Sequence, residues 1–174
     1  RDLHACQHSF PTRRSSDLTI AAPNKVYDGA ITAAPVFTIT GGLVGTETVT
    51  ATGTATFNSK DVLTANLVTA NSNLLADGLN GGLASNYSLV TGQTVAANIT
   101  AYAVSMTGVR AYDGTTNVAA GIFTLNPLVG TETLTLSGTG SVPSANTGTY
   151  PVTLGTLALG DGTNGGLAGN YTFT

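Results

Sequence analysis

The chain is poor in the side chains that most often carry out chemistry. It has one cysteine, two histidines and no tryptophan, and Cys6, His4 and His8 all lie within residues 1–18. Beyond that segment, nucleophile–base systems built on histidine and zinc sites built on histidine or cysteine are not available. Disulfides cannot stabilise a fold there either. We therefore expect a protein that is not an enzyme and that has no metal ion and no cofactor.

Charge is scarce as well. Charged residues make up 9% of the sequence and the formal net charge is −3, whereas an ordinary soluble domain has roughly 25% charged residues. Nucleic-acid-binding surfaces need clustered lysine and arginine, so nucleic acid is not an expected partner. No apolar run reaches the ~18 residues of a membrane-spanning helix, so we expect no membrane span. The hydrophobic content of 41% is typical of a folded rather than a disordered chain.

Residues 1–18 differ from the rest of the sequence. They contain three of the six basic residues, Arg1, Arg13 and Arg14, and none of the repeated motifs described below. The run from His8 to Leu18 resembles the translation of a common sequencing-adapter oligonucleotide. We therefore predict that residues 1–18 are a non-native tail outside the fold. The alternative is a short natural tail or linker.

The dominant feature of the remaining sequence is a repeat. Three blocks recur in the same order at a spacing of about 85 residues: Lys25 to Gly29 as Arg110 to Gly114, Leu43 to Thr48 as Leu128 to Thr133, and Asn80 to Ser88 as Asn164 to Thr172. This period exceeds the ~20–50 residues of solenoid units, so each copy is expected to form its own domain. We predict domains at 19–103 and 104–174. The second should be incomplete at its C-terminus, because it ends before the counterpart of a strand predicted near 94–99, and it should be the less stable.

Short alternating segments indicate strands. In 48–57, threonines occupy every second position and Val49, Ala51, Gly53, Ala55 and Phe57 lie between them, a pattern typical of a half-buried strand. The matched glycines Gly53 and Gly138 predict a bend or the close approach of another backbone. Residues 36–39 and 122–125 read as further strands, and 63–76 favours strand and loop over helix. The prediction is an all-β fold, most simply two immunoglobulin-like β-sandwich repeats, with a β-grasp arrangement as the alternative.

These motifs resemble the YDG domain of bacterial haemagglutinin-like surface proteins. The resemblance is carried by both Tyr-Asp-Gly segments, the paired Gly-Thr-Glu-Thr segments, Gly169-Asn170-Tyr171 and the connecting residues 97–100, and the chain departs from the pattern at Ala30 and Ser85. It implies tandem repeats of a filamentous-haemagglutinin-like adhesin that is secreted to the bacterial cell surface and associated with the outer membrane. The resemblance implies no catalytic residues. It implies that the partners of this chain are neighbouring repeats of the parent chain.

The motif residues are predicted to be structural. The tyrosine of Tyr-Asp-Gly should pack in the core, the aspartate should cap a turn and the glycine should adopt a positive φ. In the alternative, Asp28 and Asp113 contact a ligand or calcium, although calcium needs roughly six to eight oxygens and no dense Asp-x-Asp run is present. The Asn-Tyr-Ser/Thr motifs also fit the glycosylation pattern. The predicted structural residues are Tyr27, Asp28, Gly29, Tyr112, Asp113, Gly114, Asn86, Tyr87, Asn170 and Tyr171.

Two functions fit this sequence. The first is a structural stalk or spacer, and the second is a module that binds a host glycan or matrix protein. Sugar rings usually stack on exposed aromatic side chains, and the 6% aromatic content favours the spacer. A binding module should expose Tyr102, Tyr112 or Tyr150 in a shared groove, whereas burial of these rings would favour the spacer.

Overall fold

The computed structural model describes residues 13–174, and strands dominate it. The predicted all-β fold is confirmed. Three short 3-10 helices are present, at Ala84–Asn86, Ala120–Ile122 and Ala168–Asn170. No helix among the described residues is long and apolar enough to span a bilayer. The strands are β1 (Arg14–Ala21), β2 (Lys25–Val26), β3 (Thr32–Ala33), β4 (Val36–Gly41), β5 (Val49–Phe57), β6 (Leu67–Asp77), β7 (Tyr87–Leu89), β8 (Thr94–Ala96), β9 (Ile99–Thr100), β10 (Tyr102–Gly108), β11 (Asn117–Ala119), β12 (Phe123–Asn126), β13 (Leu134–Ser137), β14 (Thr139–Ser141), β15 (Ala158–Asp161) and β16 (Tyr171–Phe173).

The chain divides into two compact units whose limits differ from those of the sequence repeat. In the described residues, unit 1 consists of 13–23, Thr32–Asn58 and Asn66–Ala97. Unit 2 consists of Asn98–Thr174 and two segments from the first repeat, Asn24–Ile31 and Ser59–Ala65. We call these two segments arm 1 and loop 1. Their counterparts in the second repeat, residues 109–116 and 144–150, are arm 2 and loop 2.

Unit 1 contains a long antiparallel pair at its centre. Strands β5 and β6 pair from Val49 opposite Asp77 to Phe57 opposite Val68, and a bulge lies between Thr54 and Ala55. They belong to a sheet of order β3-β5-β6-β8, and a second sheet has the order β4-β1-β7. The apolar positions of β5 are buried or half-buried, while its threonines are mostly exposed. The predicted alternation is confirmed, as is a strand rather than a helix at β6.

Both mid-strand glycines lie against another backbone. A Cβ atom on Gly53 would stand 1.9 Å from the carbonyl oxygen of Ser72. On Gly138, where φ is +92°, it would stand 2.1 Å from the carbonyl oxygen of Thr156. Gly138 also separates β13 from β14. The close approach predicted from these glycines is confirmed, because neither position has room for a side chain.

Strand β1 corrects the prediction for the N-terminal segment. It starts at Arg14 and pairs in parallel with β7 and antiparallel with β4, so residues 14–18 are not outside the fold. The physical reason is their pattern: Ser16 and Leu18 are buried, and Asp17 between them is exposed. Residues 1–12 of the predicted tail lie outside the described residues, and an adapter origin stays a prediction.

Unit 2 repeats this strand arrangement. Its sheet of order β12-β10-β16 has β10 parallel to β16 and antiparallel to β12, as β1 is to β7 and β4. Tyr102 pairs with Tyr171 where Arg14 pairs with Tyr87. Ser16 lies two residues after Arg14 and Val104 lies two residues after Tyr102, so Ser16 and Val104 occupy equivalent positions in the two sheets. Both side chains are fully buried. The remaining pairs of unit 2 are β11-β14, β13-β15 and β2-β9.

Candidate functional site

The Asp-Gly pair closes the same turn in both arms. Asp28 Oδ1 accepts a hydrogen bond from the amide of Ala30 at 2.9 Å, and Asp113 Oδ1 accepts one from the amide of Thr115 at 2.9 Å. The glycines that follow have φ values of +78° (Gly29) and +73° (Gly114), which an L-residue adopts only at a cost. Each arm is thus an Asx turn completed by a left-handed glycine.

A basic side chain braces each turn. Lys25 Nζ donates to Asp28 Oδ1 and to the carbonyl oxygen of Ala30, both at 2.7 Å. Arg110 Nη1 donates to Asp113 Oδ2 at 2.6 Å. The hydrogen bond from the Thr115 amide contributes most to lowering the pKa of Asp113, and the Thr115 hydroxyl and Arg110 lower it further, against the opposing effect of burial. Both aspartates are thus engaged by donors within their own arm. Among residues 13–174, no cluster of three or more His, Cys, Asp and Glu side chains could hold a metal ion.

A glutamate and a tyrosine form a matched pair in each unit. The Tyr87 hydroxyl donates to Glu47 Oε2 at 2.5 Å and accepts from the amide of Val44 at 3.1 Å. In unit 2 the Tyr171 hydroxyl donates to Glu132 Oε2 at 2.6 Å and accepts from the amide of Val129 at 3.1 Å. We call this three-residue arrangement the corner. It fastens the loop after β4 or β12 to the strand that follows the 3-10 helix.

The tyrosine of arm 1 inserts into the corner of unit 2. Arm 1 pairs in parallel with β9 through β2, and the Tyr27 amide donates to the carbonyl oxygen of Thr100 at 2.8 Å. The Tyr27 side chain is 1% exposed, and its hydroxyl donates to Glu132 Oε1 at 2.6 Å. Its ring meets the Tyr171 ring edge-on, with centroids 5.6 Å apart and an interplanar angle of 70°. Glu132 therefore accepts hydrogen bonds from two tyrosine hydroxyls.

Loop 1 holds the inserted tyrosine from the other side. Lys60 Nζ donates to the Tyr27 hydroxyl at 3.2 Å and to Asp61 Oδ1 at 3.1 Å. Asn170 Nδ2 donates to Asp61 Oδ1 at 3.0 Å, and Asn170 Oδ1 accepts from the Val62 amide at 2.9 Å. Asn170 is only 1% exposed. Arm 1 and loop 1 together thus clamp the corner of unit 2 and the asparagine next to it.

The electrostatics of this cluster keep both phenols neutral. Burial and the hydrogen bond to Glu132 raise the pKa of Tyr171 to about 12. The same two causes raise the pKa of Tyr27, and Lys60 only partly opposes them. The hydrogen bond from Asn170 leads the effects that lower the pKa of Asp61. At neutral pH both tyrosines are protonated and donate to the Glu132 carboxylate.

Arm 2 differs from arm 1 in having its tyrosine exposed. Tyr112 is 68% exposed and lines a groove of about 340 Å³ together with Tyr150. The prediction that Tyr112 packs in the core is wrong, because the equivalent burial of Tyr27 comes from the corner of unit 2 and not from the tyrosine's own repeat. Tyr102, by contrast, is half-buried and packs edge-on against Tyr171, with centroids 6.2 Å apart.

The repeated turns and corners match a known family. A family model described as the YDG domain matches residues 12–97 and again residues 94–174. The chain belongs to the YDG domain family. Searches of curated proteins and of solved structures found no match to it. The first match begins at residue 12, so the YDG pattern includes β1.

The structure brings only some of the predicted YDG residues together. Tyr27, Asn170 and Tyr171 meet in unit 2, whereas Tyr112 lies apart from them, and Asn86 is exposed beside a buried Tyr87.

No motif predicted the roles of Glu47 in unit 1 or of Glu132, Lys60 and Asp61 in unit 2. A signal for the two glutamates was present: each lies 39 or 40 residues before the tyrosine that it binds, in both YDG repeats. Lys60 and Asp61 have no such signal, because the second repeat has Ala145 and Asn146 in their place.

Proposed function

We propose that this chain is a structural repeat segment, a stalk or spacer, of a secreted bacterial surface adhesin of the haemagglutinin-like kind. In this proposal each repeat is an immunoglobulin-like sandwich without a catalytic residue or cofactor. The observation that carries it is the corner of unit 2, where the motif residues bind one another. Glu132 accepts from both Tyr27 and Tyr171, and Asn170 is held by loop 1. Side chains used in this way join segments of the chain and are not free for a substrate.

A second candidate function rests on the groove of arm 2. Tyr112 and Tyr150 line it together with an apolar floor that includes Val118, Phe123 and Val152. Two tyrosines in one groove are the arrangement expected of a module that stacks on a sugar ring or a host protein side chain. We keep glycan or matrix-protein binding as the alternative for this reason.

An array of glycans and extracellular-matrix proteins separates the two functions. The purified chain, with its fold checked by circular dichroism, is applied together with the variants Tyr112→Ala and Tyr150→Ala. The spacer function predicts no saturable binding at physiological salt. Saturable binding that both substitutions abolish would reject the spacer and establish the groove as a recognition site. Binding that both variants keep would point to a surface elsewhere on the chain.

A further inference from the structure

Two residues that are covered in unit 2 have exposed counterparts in unit 1. Asn170 is 1% exposed, whereas Asn86 is exposed. Val129 is half-buried and its Cγ1 would lie 3.2 Å from a Cβ on Gly29, whereas Val44 is 44% exposed. The cover on unit 2 is arm 1 and loop 1. The corner of unit 1 has the same side chains without such a cover among the described residues.

The corner of unit 1 also has space where the cover would sit. A cavity of about 240 Å³ lies against Val44, Glu47, Asn86 and Tyr87. Their counterparts in unit 2 are the side chains that meet arm 1 and loop 1. In unit 2 one carboxylate oxygen of Glu132 binds Tyr171 and the other binds Tyr27. Glu47 makes the first of these bonds, to Tyr87, and within residues 13–174 no hydroxyl takes the place that Tyr27 has at Glu132.

The matching cover is exposed on unit 2. Arm 2 repeats the Asx turn of arm 1 and presents Tyr112 at 68% exposure and Val109 at 92% exposure. Loop 2 starts with the same serine turn as loop 1: the amide of Asn146 donates to Ser144 Oγ at 3.1 Å, as the amide of Asp61 donates to Ser59 Oγ at 3.0 Å. Arm 2 and loop 2 together line the 340 Å³ groove.

We propose that arm 2 and loop 2 of one chain dock on the corner of unit 1 in a second copy, with Tyr112 donating to Glu47. The inference rests on the proposed structural function and names the partner of that function as another YDG unit. The covering surface and the covered surface are different, so each chain offers one of each. Such a contact is heterologous, and it extends beyond a dimer unless it closes into a ring.

Two differences weaken this contact relative to the one within unit 2. Loop 2 has Ala145 and Asn146 where loop 1 has Lys60 and Asp61, so the ammonium group that supports Tyr27 has no equivalent. Strand β1 has Arg14 at the position of Tyr102, which packs edge-on against Tyr171. The variant Arg14→Tyr is therefore expected to strengthen the docking.

The test is sedimentation velocity of the full chain over a wide concentration range. The wild type should show a weight-average mass that rises with concentration, and Arg14→Tyr should shift that rise to lower concentration. Tyr112→Ala removes the covering tyrosine, and Val44→Arg blocks the covered corner at an exposed side chain; each variant alone should remain a monomer. Their equimolar mixture should form a 1:1 dimer and nothing larger. Leu79→Arg, which adds the same charge at another exposed apolar residue of unit 1, should associate like the wild type.

The inference is overturned if the wild type and Arg14→Tyr stay monomeric at the highest soluble concentration, if Tyr112→Ala or Val44→Arg associates like the wild type, or if their mixture fails to pair. These results leave the proposed structural function intact, because that function is judged by the array and by the stability of the Tyr27 contact. Saturable ligand binding on the array would overturn the structural function by a separate measurement.

Discussion

Ser16 buries a hydroxyl group that has no hydrogen-bond partner among the described residues. Its counterpart Val104 fills the same position with an apolar side chain. An unpaired buried polar group costs about 1–3 kcal/mol, so Ser16→Val should raise the free energy of unfolding of unit 1 by about 1 kcal/mol or more. Urea denaturation measures the change. Ser15→Val, at an exposed neighbour, should have little effect, and a loss of stability in both Ser16→Val and Ser16→Ala would contradict the prediction.

Tyr171 predicts a dependence of stability on alkaline pH. Its pKa is raised from 10.0 to about 12 in the folded protein, so the protonated hydroxyl contributes stability that is complete below pH 10 and is lost as the pH rises to 12. The free energy of unfolding of unit 2 should therefore fall across this interval. Urea denaturation at a series of pH values measures the slope, which should be shallower in Tyr171→Phe and unchanged in Tyr112→Phe. Equal slopes in all three proteins would reject the prediction.

At the scale of the element, the position of arm 1 in unit 2 depends on the Tyr27 hydroxyl. Tyr27→Phe keeps the ring and removes the hydrogen bonds to Glu132 and Lys60. Hydrogen bonds to charged groups contribute about 1.5–3 kcal/mol, so the free energy of unfolding of unit 2 should decrease by about that amount. The duplicated chain supplies a matched control: Tyr112→Phe, the same change in arm 2, should alter stability by less than about 0.5 kcal/mol. Equal effects of the two substitutions would show that the contact in unit 2 contributes nothing specific.

The strands were more predictable than the arms. The alternation in β5 and the glycines Gly53 and Gly138 report local requirements, namely one buried face and no room for a Cβ atom, and local sequence records these directly. The burial of Tyr27 was not predictable in the same way. Tyr27 and Tyr112 share the same motif, yet one is buried and the other exposed, because the corner of unit 2 covers Tyr27 and no described residues cover Tyr112 in the same way. A repeated motif cannot distinguish between these surroundings.

At the scale of the whole molecule, the two compact units predict which amides respond to the loss of the Tyr27 contact. Hydrogen exchange measured by mass spectrometry should show faster exchange in Tyr27→Phe for peptides from arm 1, loop 1 and residues 98–104. Peptides from β5 and β6 should exchange as in the wild type, because they belong to unit 1. If the exchange of β5 and β6 increased and that of 98–104 did not, the assignment of arm 1 to unit 2 would be wrong.

The candidate site could be predicted only in part at this scale. The repeated motif alone identified Asn86, Tyr87, Asn170 and Tyr171 as structural residues. The length of the chain and the spacing of the motifs identified two copies of the repeat. The units cut across that repeat, since arm 1 and loop 1 precede most of unit 2 in sequence but belong to it. The repeat period gives only the spacing of equivalent residues along the sequence. That spacing is the same whichever unit a segment packs into, so the period does not reveal the limits of the units.

The parallel strand pair in each unit has a mechanical consequence. In unit 2 the first long strand, β10, lies parallel to β16 at the C-terminal end, and in unit 1 strand β1 lies parallel to β7. A tension that pulls on the start of one such strand and the end of the other slides the two past each other along their length. Their hydrogen bonds then carry the load together instead of opening one at a time, so the same backbone pairing resists stretching far better than it resists peeling.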